Sequence, residues 1–349
     1  MIFIRILLFP FAVLYDAVTR FRNHLFNIGN KPSFVFDTNV VGVGNLSVGG
    51  TGKTPMVEYL IRLLSEKYSI ATLSRGYGRS TKGFRIANEE DTPSSIGDEP
   101  FQIFNKFKKV HVTVGEERAL AIPAILHEKR DTQVIILDDA FQHRYVKPNI
   151  NILLTGYQKP FFNDYVLPAG TLREAREGVK RADVIVVTKC PSSLTIQEKN
   201  HINKKIDKYK SKDTSLFFST ISYDDPVPLH HNIALESNVI LLSGIANNST
   251  FATHMEEHHT VVHTFLFSDH HNYSQSDVKK VVKIYEKFKS NEQECSIITT
   301  EKDMVKLDVP EFRTLLRHIP LFYLPIKTQF LENGEVFDNT ILNSIQTNR

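Results

Sequence analysis

The residues whose types and spacing most clearly predict chemistry form a glycine-rich segment, GNLSVGGTGKTP, at positions 44–55. It follows the short apolar run Val40–Gly44 and leads into Thr54–Tyr68, whose apolar residues have helical spacing. Backbone N–H groups in such a turn can face phosphate oxygens, and a following helix adds the positive end of its dipole. The segment matches the P-loop pattern G-x-x-x-x-G-K-S/T, except that Ser47 replaces the first glycine. We therefore predict that nucleotide phosphates bind at Ser47, Val48, Gly49, Gly50, Thr51, Gly52, Lys53 and Thr54.

A pair of carboxylates, Asp138 and Asp139, directly follows the apolar run Val134–Leu137. In open α/β sheets, ligands bind beyond the carboxyl ends of the strands. Asp138 is thus a candidate Mg²⁺ ligand together with the Thr54 hydroxyl, while Lys53 can reach the β- and γ-phosphates of a nucleotide. Capping of the next helix is the alternative role for a carboxylate at this position. His143 lies close to this pair in sequence, which makes it a candidate active-site group.

Apolar runs rich in β-branched residues must position these groups, and they alternate with helical segments. This pattern predicts an α/β, P-loop NTPase-like fold: a mostly parallel sheet with helices on both faces, plus a second, smaller α/β domain. The polar stretch 222–238 contains two prolines and is a candidate hinge. The predicted domains are an N-terminal apolar helix at 1–28, a P-loop core at 29–222 and the second domain at 223–349. The predicted strands are Val40–Gly44, Ile70–Ser74, Val110–Val114, Val134–Leu137, Ile150–Leu154, Val184–Thr188, Val239–Ser243, Val261–Phe267, Ser296–Thr300 and Leu321–Ile326.

Composition excludes several classes of protein. The chain has 349 residues with 41% hydrophobic and 23% charged residues, which is typical of globular proteins and excludes a disordered or polytopic membrane protein. The formal net charge of +3 gives no argument for a nucleic-acid partner. Cys190 and Cys295 are too few for a disulfide framework or a cysteine zinc site, so a reducing compartment is expected.

The N-terminus, MIFIRILLFPFAVLY, is an apolar run interrupted only by Arg5 and Pro10. It is shorter than the roughly 20 apolar residues that a membrane-spanning helix needs, because charged residues follow from Asp16 onwards. Two interpretations remain: a helix packed on the protein's own core, or an interfacial helix with its apolar side in a bilayer and Arg20, Arg22 and His24 near the headgroups. The second is favoured, because apolar residues occupy more faces than a single core stripe requires.

Several stretches together resemble one family. In chain order they are GNLSVGGTGKTP at 44–55, LSRGYGR at 73–79, GDEP at 97–100, DDAFQHR at 138–144, PAGTLREAREG at 168–178, FSDHHNY at 267–273 and TTEKDMVKL at 299–307. In this combination the chain resembles tetraacyldisaccharide 4′-kinase, the lipid A 4′-kinase of Gram-negative bacteria. The resemblance implies transfer of the γ-phosphoryl group of ATP, with Mg²⁺, to the 4′-hydroxyl of a tetraacyldisaccharide 1-phosphate. It also implies a glycolipid substrate, and a peripheral monomer on the cytoplasmic face of the inner membrane.

The resemblance assigns further roles to residues of the matching motifs. It implies that Asp98 is the catalytic base, paired with His270, that Lys53 takes part in catalysis and that Glu99 joins the Mg²⁺ shell. Asp98 falls in the predicted first domain and His270 in the second, so this dyad would form across a cleft. From the residues alone, Asp98 and Glu99 are also suited to capping a helix that begins at Pro100. The residues implied to contact the lipid substrate are Arg75, Tyr77, Arg118, Asp138, Asp139, His143 and Arg173.

Two other functions compete with a lipid kinase. One is a P-loop NTPase that acts as a membrane-associated regulatory switch, although residues 188–191 read TKCP and lack the Asp of the N-K-x-D guanine motif. The other is a non-catalytic membrane-bound protein with a decayed P-loop, which the retained reactive side chains disfavour. ATP consumption separates them: a kinase needs the lipid acceptor, a switch hydrolyses ATP slowly alone, and a scaffold does neither.

Overall fold

The chain divides into two compact units, each built around its own sheet. The computed structural model describes residues 2–229, 234–246 and 248–346. The first unit comprises residues 1–91, 103–222 and 327–349, and the second comprises 92–102 and 223–326.

The sheet of the first unit has the strand order β14-β8-β7-β6-β1-β5-β2-β4-β3. The central strands pair in parallel, and β3 pairs antiparallel with β4 at one edge. Its strands are β1 (Asn39–Asn45), β2 (Ile70–Ser74), β3 (Arg85–Ile86), β4 (His111–Val114), β5 (Val134–Leu137), β6 (Ile150–Gly156), β7 (Val184–Thr188), β8 (Ser215–Tyr223) and β14 (Ile326–Phe330).

The sheet of the second unit has the order β11-β10-β12-β13-β9 and is parallel except for β9. Its strands are β9 (Val227–Pro228), β10 (Asn238–Ser243), β11 (Thr260–Leu266), β12 (Ser296–Thr300) and β13 (Leu321–Leu324). The predicted hinge at 222–238 therefore contains a paired strand, β9; residues 230–233 of that stretch lie outside the described residues.

The α-helices mostly fill the connections between strands. They are α1 (Ile2–Asn27), α2 (Lys53–Leu64), α3 (Pro93–Ile96), α4 (Asp98–Lys106), α5 (Arg118–Glu128), α6 (Ile196–Ile206), α7 (Asn248–His258), α8 (Gln275–Ser290), α9 (Glu301–Leu307), α10 (Pro310–Leu316) and α11 (Gly334–Gln346). The predicted α/β fold with a mostly parallel sheet is confirmed.

Side chains along the central strands point alternately to the two faces of the first sheet, and both faces are covered. Val41 and Val43 pack with α2 in one apolar cluster, whereas Val40 lies in the cluster that contains residues of α5. Successive strand residues point to opposite faces, so a strand that is buried on both sides is apolar throughout. This arrangement leaves the carboxyl ends of the strands as the edge where polar groups can gather.

Two features of the division into units differ from the predicted domains. The C-terminal helix α11 belongs to the first unit, because Phe337, Ile341 and Ile345 are buried in the same cluster as α2. Residues 92–102 belong to the second unit, so Asp98 lies in the same unit as His270. The contact between them therefore falls within one unit of this division, and a dyad formed across a cleft stays a prediction.

Helix α1 exposes apolar side chains along much of its length. Eight of them are between 53% and 69% exposed: Ile6, Leu7, Phe9, Phe11, Val13, Leu14, Val18 and Phe21. Burial of these residues in the protein's own core, one of the two interpretations of the N-terminus, is not observed. None of the helices in the described part of the chain combines the length and apolar character that crossing a membrane requires.

The second half of α1 is fastened to the first unit by polar contacts. The Tyr15 hydroxyl donates to the Arg173 carbonyl oxygen at 2.9 Å, and Arg22 Nη2 donates to the Gln142 carbonyl oxygen at 2.8 Å. Near the end of the helix, the buried Phe26 ring lies under the Arg144 guanidinium, 5.0 Å from its centre. The helix is thus held at one end while its apolar residues remain on the surface.

Candidate active site

The glycine-rich segment forms a loop between β1 and α2 in the first unit. Gly52 is the N-cap of α2 with φ 83°, no side chain caps the helix, and Gly49 has φ 104°. These left-handed conformations favour glycine. The first intrahelical bond runs from Met56 N to Gly52 O, so the N–H groups of Lys53 and Thr54 have no acceptor within the helix. A helix end of this kind suits an anionic ligand.

Neighbouring strands hold this loop in place. Val48 N donates to Thr171 O at 2.8 Å, and the Thr188 hydroxyl at the end of β7 donates to Thr51 O at 2.8 Å. Lys189 Nζ donates to Gly50 O at 2.7 Å. Thr188 and Lys189 therefore brace the loop backbone, a role that their sequence context does not reveal.

Lys53, Asp139 and Arg173 form a charged cluster beside the loop. Lys53 Nζ lies 3.5 Å from Asp139 Oδ1, and Arg173 Nη1 donates to Asp139 Oδ2 at 2.8 Å. Burial would raise the pKa of Asp139, but the charges of Lys53 and Arg173 outweigh it and hold that pKa below its ordinary value. The carboxylate is therefore ionised at neutral pH and orients two cations at the loop.

Asp138, His143 and Arg118 lie within electrostatic range of one another or of this cluster. Asp138 follows β5, which pairs directly with β1, so it is at the same sheet edge as the loop. Burial, reinforced by the charge of Arg118, lowers the pKa of His143 to about 4, so its imidazole is neutral at physiological pH. Arg118 is only 2% exposed and donates to backbone carbonyls, including Gly115 O at 2.6 Å.

Arg75 and Tyr77 follow β2 and have exposed side chains, that of Tyr77 being 73% exposed. The charge of Arg75 contributes to lowering the pKa of both Arg118 and His143. The first unit thus brings Lys53, Asp139 and Arg173 into contact and places Arg75 within electrostatic range of His143. It buries Arg118 against main-chain carbonyls, an arrangement suited to positioning the loop after β5.

The second unit contains the other predicted catalytic residues. Asp98, at the start of α4, has Oδ2 3.6 Å from His270 Nδ1, which is an ion-pair distance and too long for a hydrogen bond. Lys306 Nζ on α9 lies 2.9 Å from the same oxygen and donates to His271 O at 3.1 Å. Burial would raise the pKa of Asp98, but His270 and Lys306 outweigh it and lower that pKa, so this carboxylate is also ionised at neutral pH.

Lys302 determines which nitrogen of His270 carries the proton. Lys302 Nζ lies 3.0 Å from His270 Nε2, and an ammonium group only donates hydrogen bonds. Nε2 therefore accepts, and the proton of the neutral ring is on Nδ1, the atom that faces Asp98. The same ammonium group lies 3.4 Å from Glu99 Oε1 and 3.4 Å from Asp269 Oδ1. Glu99, a predicted metal ligand, therefore forms an ion pair with Lys302 in this structure.

His271, the neighbour of His270, has different partners. Its ring stacks on Phe267 with centroids 4.2 Å apart, and its Nε2 lies 3.2 Å from Asp277 Oδ2. These contacts give it a structural role and leave His270 as the histidine beside Asp98.

Sequence reasoning left the role of Lys302 open and did not identify Lys306. They lie one helical turn apart on α9, directly after β12, and therefore share one face of that helix. Two lysines at this spacing after a strand end, inside a stretch already matched to a family motif, are the signal that could have identified them.

Comparison with known proteins adds to this geometry. The sequence model of the family described as tetraacyldisaccharide-1-P 4′-kinase matches residues 4–346. A protein of Flavobacterium psychrophilum named tetraacyldisaccharide 4′-kinase is 44% identical, with 99% of this chain and 98% of that protein aligned. One of the same name from Phocaeicola vulgatus is 38% identical over 98% of this chain and 95% of that protein.

A solved structure agrees in fold over nearly the whole chain. It is the crystal structure of the "apo" form of LpxK from Aquifex aeolicus in complex with ATP, with a TM-score of 0.76 and 30% sequence identity. The match covers 98% of this chain and 99% of that one. With its phosphate loop, its paired carboxylates and a match from residue 4 to residue 346, this chain belongs to the tetraacyldisaccharide 4′-kinase family.

Proposed function

We propose that this protein transfers the γ-phosphoryl group of ATP to the 4′-hydroxyl of a tetraacyldisaccharide 1-phosphate, which yields the 4′-phosphorylated lipid A precursor. The observation that carries the proposal is the Lys53–Asp139–Arg173 cluster at the phosphate loop, in a chain that matches the kinase family over residues 4–346. Phosphoryl transfer depends on positioning and on stabilising negative charge, and this cluster supplies both kinds of group.

ATP is the proposed phosphoryl donor, with its phosphates against residues 47–54. The N–H groups of the first turn of α2 have no acceptor within the helix and are proposed to bind phosphate oxygens, while Lys53 would neutralise charge on the transferring group. Arg173 is held beside Lys53 by Asp139 and adds a second cation. His143, neutral because of its burial, is suited to hydrogen bonding and adds no charge.

Mg²⁺ fits the oxygen atoms available here. The Thr54 hydroxyl is in the first turn of α2, and the Asp138 carboxylate follows the strand next to β1; magnesium prefers such hard oxygen ligands. Bound there, Mg²⁺ would neutralise charge on the nucleotide phosphates. Glu99, the third predicted ligand, lies in the second unit, where its carboxylate is 3.4 Å from Lys302 Nζ.

Asp98 is proposed as the base for the attacking hydroxyl. Its carboxylate is ionised, so it can accept a hydrogen bond and then the proton from the 4′-hydroxyl. His270 Nδ1 lies 3.6 Å from that carboxylate, and Lys306 Nζ lies 2.9 Å from the same oxygen. Each of these side chains thus orients Asp98 for the acceptor.

The remaining positively charged and polar residues are proposed to bind the lipid substrate. Arg75 and Tyr77 are exposed and therefore accessible to a sugar or to the 1-phosphate, which needs cationic partners. Arg118 was predicted to contact substrate, but its burial supports a positioning role: it holds the main chain near Asp138, with Nη2 3.4 Å from the Asp138 carbonyl oxygen.

We propose that α1 lies in the membrane interface. Its exposed apolar residues are accompanied by Arg20 and Arg22, and its second half is fastened to the first unit. An interfacial helix would bring the phosphate loop to a substrate whose acyl chains are in the bilayer. We accordingly propose a peripheral monomer on the cytoplasmic face of the inner membrane of a Gram-negative bacterium.

The test is phosphoryl transfer by the purified protein from radiolabelled ATP to the disaccharide 1-phosphate in mixed micelles. The expected result is label in the lipid and ATP consumption that depends on the acceptor. ATP consumption that is the same with and without acceptor would favour a regulatory NTPase instead. Absence of both, in a protein that melts cooperatively, would overturn an enzymatic function altogether.

A further inference from the structure

A compact group of nitrogen and oxygen donors lies on α7, away from the residues assigned to catalysis. His254, Glu257 and His258 occur at i, i+3 and i+4 in the stretch HMEEH, so they share one face of the helix. One donor atom from each of the three lies within 4.8 Å of the others. The proposed kinase reaction uses none of these side chains.

A hydrogen bond to the main chain orients the His258 ring. Its Nδ1 is 2.8 Å from the carbonyl oxygen of His254, and a carbonyl oxygen only accepts hydrogen bonds. Nδ1 therefore carries a proton, which leaves Nε2 as the ring nitrogen that a metal ion would bind. A backbone carbonyl that orients a metal-binding imidazole in this way is a common arrangement in metal sites.

His254 is oriented by an aromatic neighbour. Its ring stacks on Tyr223 with centroids 4.0 Å apart and planes 15° apart, and it lies 4.6 Å from the His258 ring. Stacking restricts rotation of the ring, so less conformational entropy is lost on binding.

We propose that His254, Glu257 and His258 form a binding site for a divalent transition-metal ion, with Zn²⁺ as the expected occupant. Two imidazoles and one carboxylate are an established zinc donor set, which leaves a fourth position for water or another ligand. Glu257 and His258 are exposed, so their side chains are able to move by the small distance needed to reach one ion. Imidazole donors favour zinc, nickel and copper over magnesium, which separates this site from the oxygen ligands proposed at the phosphate loop.

The test is calorimetric titration of the full-length protein, without a polyhistidine tag, with Zn²⁺ in the presence of excess Mg²⁺. The excess Mg²⁺ occupies sites built from oxygen ligands, so the heat released on adding Zn²⁺ comes from sites that contain nitrogen ligands. His258→Asn and Glu257→Gln are the test variants; both residues are exposed, which limits any effect on folding. His318→Asn is the matched control, because His318 is a surface histidine 2.8 Å from Glu286 but has no second histidine one turn away.

We expect the wild-type protein to bind Zn²⁺ at one site. The affinity should fall about tenfold or more in His258→Asn, because loss of a direct ligand should weaken binding at least as much as loss of an outer partner. The affinity should be unchanged in His318→Asn. Substitution of Co²⁺ should give visible absorption bands that disappear in the His258→Asn variant. Equal Zn²⁺ affinity in the wild type and His258→Asn would overturn the proposal, as would an equal loss in the His318→Asn control. Far-ultraviolet circular dichroism without metal checks that each variant is folded.

Discussion

The pairing of Asp98 with His270 makes a quantitative prediction about a double-mutant cycle. Asp98→Asn removes the proposed base and His270→Asn removes the ring that restrains it. We expect each single variant to lower kcat by about 10²–10⁴-fold. If the two side chains act as one unit, the double variant should be little worse than the poorer single variant. Independent action would instead multiply the losses, to about 10⁴–10⁸-fold.

The structure sets the size of the coupling. At 3.6 Å, two full charges in a medium of effective dielectric constant about 20 would interact by about 5 kcal/mol. A single N–H group that faces a carboxylate contributes only part of this energy. If the double variant is no worse than the poorer single variant, the coupling free energy equals the smaller of the two single losses. Expressed as a change in activation free energy, that loss is about 3–5 kcal/mol. The larger part of the coupling must therefore come from loss of a shared function, since electrostatic attraction alone is insufficient.

The assay is initial-rate phosphoryl transfer at saturating ATP and lipid, with KM for ATP measured alongside. KM for ATP should change little, because neither residue is proposed to bind the nucleotide phosphates. His271→Asn is the matched control: His271 stacks on Phe267 and bonds Asp277, so its loss should lower thermal stability with little effect on kcat. Fully multiplicative losses, or a larger loss of kcat in His271→Asn than in His270→Asn, would refute the reasoning.

Three further variants test other parts of the site. Lys53→Ala should lower kcat by at least about 10²-fold, because it removes the positive charge that compensates the transferring phosphoryl group. Circular dichroism should show that the fold is retained. Near-normal turnover would mean that this loop does not bind ATP. Lys306→Met removes the ammonium group that offsets the burial of Asp98, so the pKa of Asp98 should rise. The acid limb of the pH–kcat profile should then move to higher pH, and Lys306→Arg should restore it. An unchanged profile in Lys306→Met would contradict the role of Asp98 as base. Phe11 and Leu14 are exposed apolar residues of α1, and their replacement with serine should reduce the fraction of protein that sediments with anionic vesicles. It should also raise KM for the lipid more than KM for ATP. Unchanged vesicle binding would exclude α1 as the membrane contact.

The phosphate loop and the sheet were predictable because their signals are local. The loop conformation depends on glycines at particular positions, and Gly49 and Gly52 do adopt positive φ. The strands were predictable because a parallel strand buried on both faces must be apolar and β-branched along its length. The exposed apolar residues of α1 also follow from local composition, since more faces are apolar than one core contact needs.

The environment of the catalytic groups depended on contacts between distant segments. Lys306 reaches Asp98, and Thr188 holds the loop at Thr51, only because the sheets bring separate strand ends together. The assignment of α11 to the first unit follows from burial of Phe337, and a helical pattern does not specify which core it joins.

The sequence by itself therefore determined the fold class and the glycine-rich phosphate loop, because each is encoded in neighbouring residues. Only the tertiary structure decided that Asp98 and His270 share one unit and that Lys302 leaves the His270 proton on Nδ1. It also showed that Arg118 is buried against main-chain carbonyls. The physical reason is that pKa values, proton positions and accessibility depend on charges and burial supplied by segments far away along the chain.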